Sequence, residues 1–137
     1  MGPPLRSRRA SVATISPVTD GVVFDAVAID CSDPMALAGF WCDVLDTEVE
    51  GTGGDGPHYV DLKPVPGVPR LRFQRVPEGK PAKNRLHFDL LAEDLEAACG
   101  RVEALGARRT GESHSEYGFD WFVLEDPEGN EFCIIHE

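Results

Sequence analysis

A mixed α+β fold of two paired β-α-β-β-β units is the architecture this sequence predicts. Three observations predict it: short segments of alternating apolar and polar residues, two amphipathic helical stretches each opened by an aspartate, and an internal repeat. At an offset of 61 residues Asp33 falls on Asp94, Leu37 on Ala98, Val44 on Leu105 and Ala26 on His87. Two unlike copies in 137 residues imply that neither buries its sheet alone and that the two pair.

The elements follow in order. Residues Phe24 to Asp30 alternate as a strand, with Val27 and Ile29 toward the core. Asp33-Pro34 supplies an N-cap and a first-turn proline, so a helix runs to about Leu45, its stripe made by Leu37, Phe40, Trp41, Val44 and Leu45. Three strands follow in TEVEG, HYVDLK and LRFQRV, separated by the reversals GTGGDGP and PVPGVP. After the loop PEGKPAK the second unit begins with a strand over Asn84 to Leu91. A helix then starts beyond Glu93-Asp94 and ends at Gly106, a C-terminal cap. ARRTGE, DWFVLE and NEFCIIH supply three more strands, the last two joined by the tight turn Asp126 to Asn130. The units span about 23–76 and 84–137 of one domain, 23–137, preceded by a flexible leader, 1–22. Glu112 to Gly118 reads as a polar loop, either a mobile lid or an exposed stretch with no specific role.

The composition is globular, 42% hydrophobic and 27% charged, with a net charge of −11. The leader carries three arginines against one aspartate, so the acidity lies in the rest. Nucleic acid and anionic membrane are poor partners for such a surface, because both are bound by basic residues that displace counterions or meet acidic lipid. No apolar run is long enough for a membrane span or a signal-peptide core. Cys31, Cys42, Cys99 and Cys133 have neither C-x-x-C nor zinc-finger spacing and read as reduced thiols of a cytoplasmic protein. Phosphate-loop, serine-elbow and dinucleotide fingerprints are missing, which leaves nucleotide and serine hydrolysis without support.

Three passages, AIDCSDPMALAGFWCDVLD, RLHFDLLAEDLEAACGRVEALGA and DPEGNEFCII, together make the chain resemble the vicinal oxygen chelate superfamily of glyoxalase, bleomycin-resistance and extradiol dioxygenase proteins, over about residues 23 to 136. The resemblance implies that the units form a cupped, incomplete barrel holding a small organic ligand, and that the protein is a homodimer. It also implies four metal-ligand positions, one each from the first and last strands of both units, which fall on Ala26, on Arg72 or Gln74, on His87 and on Cys133. Only His87 fits the usual pattern, so neither a metal nor another cofactor is expected, although a site rebuilt from His87, Asp89 and Cys133 has donors suited to zinc.

Strand alternation places His87, Asp89 and Leu91 on the cup face, with Glu131, Cys133 and Ile135, while Phe88 and Leu90 pack under the second helix. Without a metal, His87 is the candidate proton-transfer group, with Asp89 to set its tautomer and Cys133 as a nucleophilic partner. The alternative is that His87 and Asp89 only hydrogen-bond in the cup while Cys133 is a small buried hydrophobe. Arg72 and Gln74 share the cup face and suit a ligand oxyanion, unless Arg72 is taken by an internal carboxylate. Tyr59 and Trp121 either wall the pocket or pack in the core. His58, His114 and His136 are weaker candidates. Three functions remain: lyase or isomerase chemistry centred on His87; sequestration of a drug or metabolite, with cationic ligands favoured by the acidic surface; and metal-dependent lyase or dioxygenase chemistry.

Overall fold

A computed structural model describes residues 21–137, so the expected leader falls outside the described residues except for its last two positions. Ten elements follow in order: β1 (Ala26–Cys31), α1 (Pro34–Leu45), β2 (Val49–Gly53), β3 (Tyr59–Leu62), β4 (Arg70–Arg75), β5 (Asp89–Leu91), α2 (Leu95–Leu105), β6 (Arg108–Glu116), β7 (Phe119–Glu125) and β8 (Glu131–His136). They form two four-stranded sheets of the same topology, β1-β4-β3-β2 and β5-β8-β7-β6. In each the first strand pairs parallel with the last and the others are antiparallel. This is the expected cupped α+β architecture, with the sheets not closed into a barrel.

Local chemistry sets the helix ends. The Asp33 carboxylate accepts the Ala36 N–H at 3.1 Å and the Asp94 carboxylate the Ala97 N–H at 3.0 Å, so the repeat aligns two functioning N-caps. Gly106, at φ +123°, ends α2 where a side chain would be strained.

The register fixes which face is buried. Ile29, Phe73 and Val60 lie side by side across the first sheet, under α1, whose Leu37, Ala38 and Trp41 are fully buried. Leu90, Ile134 and Phe122 do the same in the second sheet, beside Cys99 and Val102 of α2. Trp41 joins the two halves: its ring lies edge-on to Phe40, Phe88 and Phe132 at 5.1, 5.3 and 5.1 Å. Phe88 therefore meets Trp41 of the first helix, a contact that the expected packing under the second helix did not include.

The turn Asp126 to Asn130 strengthens that junction. One Asp126 oxygen accepts the N–H groups of Glu128 and Asn130 at 2.9 and 3.0 Å, and the other accepts the Trp41 indole N–H at 3.1 Å. Glu128 accepts from the Ser32 and Asp33 N–H groups at 3.1 and 3.0 Å. The second unit's turn thus clasps the strand-to-helix passage of the first.

Two expectations are corrected. The strand expected from Asn84 starts only at Asp89. Ahead of it the Asn84 side chain takes the Glu131 N–H at 2.9 Å, and the Asn84 N–H donates to the Glu131 carboxylate at 3.1 Å. Side-chain pairing stands where a ladder would be. Likewise Glu112 to Glu116 is strand, not lid. A register shift lies between Arg109 and Ser113, and Tyr117-Gly118 turns the hairpin with φ +58° and +82°, as a two-residue primed turn requires.

All four thiols are free and buried. Burial raises each pKa, and at Cys31 the carboxylates of Glu128, Asp33, Asp30 and Asp126 add to it and push the value up to about 11. The native protein is expected to react slowly with an aromatic disulfide reagent at neutral pH and to release all four thiols in denaturant. Rapid native labelling would contradict this burial.

Candidate functional site

The outward face of the first sheet follows from the same register. Ala28, Arg72 and Asp61 lie side by side, as do Asp30, Gln74 and Tyr59. Arg72 grips the buried Asp61 with two bonds, Nε to Oδ1 at 2.7 Å and Nη2 to Oδ2 at 3.0 Å. Its guanidinium carbon lies 5.3 Å from the Tyr59 ring centre. The bond to Asp61 raises the Arg72 pKa, and the pair leaves that guanidinium largely neutralised.

On the second sheet Asp89, Cys133 and Val123 are neighbours, and beside them Leu91, Ile135 and Trp121. His87 Nε2 is 3.2 Å from Asp89 Oδ1. Donor atoms of His87, Asp89 and Cys133 all lie within 4.8 Å of one another. Burial, and then the Asp89 carboxylate, push the Cys133 thiol up, so it stays protonated at neutral pH. Trp121 stacks on His114 at 4.9 Å, and His114 bonds to Glu112 at 2.7 Å.

Between the sheets lies a cleft of about 850 Å³. One wall is the β1 edge with Ala28 and Asp30, another is the connection 76–88, and a third is the turn and start of β8. His87 is in the wall, whereas Arg72, Gln74, Tyr59 and Trp121 are not. The structure thus brings His87, Asp89 and Cys133 together and leaves the other four candidates on the flanking sheet faces.

Sequence reasoning missed the residues that shape the cleft. Lys80 bonds to Glu131 at 3.1 Å, and with Asn84 it ties the connection to β8. Lys80 stands in a loop punctuated by Pro and Gly, where nothing in the sequence marks a contact across about fifty positions. Burial raises the Glu131 pKa, but the Asn84 N–H and the Lys80 ammonium outweigh it, and the net direction is down from 4.5. Stability from this group is complete above its unfolded value and is lost as pH falls through the lower folded value. E131Q should therefore flatten the acid limb of a melting-temperature profile taken from neutrality to pH ~3. An unchanged profile would contradict this placement of the charge.

The full set of four metal positions implied by the resemblance is not met by this chain, since only His87 is of the usual type. Ala26 has no donor, Arg72 is cationic and held by Asp61, and Gln74, the alternative to Arg72, offers a neutral amide where the usual set has a charged or imidazole ligand.

A family model described as a glyoxalase-like domain matches residues 26–135. No curated protein matches the chain. Among solved structures, a glyoxalase/bleomycin resistance protein/dioxygenase family enzyme from Burkholderia phytofirmans PsJN aligns at TM-score 0.66 and 17% identity, over 84% of this chain and 98% of that one. A member of the same superfamily from Sphaerobacter thermophilus aligns at TM-score 0.62 and 18% identity, over 85% and 98%. TioX from Micromonospora sp. ML1 aligns at 0.57 and 15%, over 84% and 98%. At these identities the likeness is one of fold. No helix among the described residues is long and apolar enough to cross a membrane.

Proposed function

The chain belongs to the glyoxalase-like domain family, and on that premise we propose that it binds a small organic molecule in the cleft between its two sheets. The cleft itself carries this reading: about 850 Å³ falls within the size of sites that enclose small ligands. Its wall mixes the apolar groups of Ala28, Leu86 and Phe88 with the polar groups of Asp30, Glu78 and His87, a composition suited to holding an organic body by burial and one end by charge. The exposed carboxylates of Asp30 and Glu78 favour a cationic end.

Two features favour binding over turnover. Arg72, the candidate oxyanion partner, is held by Asp61, and Cys133, the candidate nucleophile, is buried and lies beside the Asp89 carboxylate, both of which oppose thiolate formation. His87 then serves as a polar contact oriented by Asp89. The buried free thiols support a reducing, cytoplasmic setting, and the exposed Leu91 beside Ile135 and Trp121 supports a homodimer. A thermal-shift screen of small organic cations and anions tests the reading. Cations should raise the melting temperature, and H87A should weaken the effect. A ligand consumed by the wild type but only bound by H87A would replace the binding reading with an enzyme that uses His87 for proton transfer.

A further inference from the structure

The two units differ in what they hold at the implied metal positions. The first carries the methyl group of Ala26 and either the occupied guanidinium of Arg72 or the neutral amide of Gln74. In the second unit three donors of different chemistry converge: an imidazole, a carboxylate and a thiol, from His87, Asp89 and Cys133. The backbone produces this convergence. His87 and Asp89 are two residues apart and project to one side, and Asp89 stands directly opposite Cys133 in the β5–β8 pairing.

We propose that His87, Asp89 and Cys133 form a zinc site contained entirely in the second unit. Zn–N and Zn–O lengths of about 2.0–2.1 Å and a Zn–S length of ~2.3 Å put tetrahedral ligand atoms roughly 3.3–3.6 Å apart. The three donor atoms already lie within 4.8 Å, with His87 and Asp89 at 3.2 Å. Their side chains are both about half exposed, so small rotations close the remainder without disturbing the core. Binding forms one Zn–S bond and sends the Cys133 proton to solvent, while the ion's charge offsets the Asp89 carboxylate that opposes thiolate formation. One coordination position stays open for water or a ligand atom. A soft thiolate in the set selects zinc and cadmium over magnesium and manganese, which prefer oxygen donors. This inference goes beyond the ligand-binding reading and does not depend on it.

Cadmium titration of the chelator-treated full chain tests it, because cadmium–thiolate bonding has its own ultraviolet absorption. One equivalent of Cd²⁺ should develop that band, Zn²⁺ should abolish it by competition, and Mg²⁺ and Mn²⁺ in excess should not. C133S should remove the band, whereas C99S should keep it. H87Q and D89N alter exposed groups and should weaken cadmium binding by about tenfold or more, keeping the test decisive if C133S fails to fold. No band, a band that survives C133S, or affinity unchanged in both H87Q and D89N would overturn the proposal.

Discussion

Trp41→Ala is expected to destabilise the protein by about 3–5 kcal/mol in urea unfolding, the range for removing a large buried aromatic. Trp41 is 2% exposed and meets three aromatic rings edge-on, two of which, Phe88 and Phe132, belong to the second half of the chain. Its truncation opens a cavity and deprives the Asp126 carboxylate of the one hydrogen-bond partner that, among the described residues, lies outside its own turn. Because α1 packs on the first sheet while its Phe40 and Trp41 reach Phe132 of β8, the loss should fall on the whole domain: the wild type unfolds in one transition, and W41A in one transition at lower urea. A cost below about 1 kcal/mol, or loss of the second unit's structure alone, would contradict Trp41 as the joint between the units.

Ala28→Trp should cost about a hundredfold in ligand affinity, ~2.7 kcal/mol, with little change in stability. Ala28 sits on the outward face of β1, exposed in the cleft wall, where an indole takes up ligand space without entering the core. Trp121→Ala removes an aromatic surface outside the cleft wall and should leave the same affinity nearly unchanged. The reverse ranking would move the ligand from the cleft to the open face of the second sheet.

The sequence carried those features that depend on neighbours along the chain. Both aspartate caps, the glycine at the end of α2 and the turn from Asp126 are local, and each is made by bonds spanning four residues or fewer. Alternation placed Phe132 and Ile134 inward and Cys133 on the other face. What escaped was set by distant partners. Polar edge-strand composition resembles a loop, so Glu112 to Glu116 showed no strand signal until paired with β7. The Asn84 side chain displaced a ladder that apolar alternation predicted. The partner of Arg72 depended on the β3–β4 register, which a proline-rich reversal does not specify. Among the site candidates, the cluster around His87 was legible because parity and one pairing suffice to assemble it. The cleft was not, since its walls come from β1, the connection 76–88 and the β8 turn at once.

A ligand held between the sheets is located by backbone amide shift mapping of the full chain with an organic cation that raises its melting temperature. Dose-dependent shifts should concentrate at residues 28–32, 76–88 and 126–132, around the cleft. Shifts gathered instead around Leu91, Trp121 and His114, with the cleft residues silent, would contradict it.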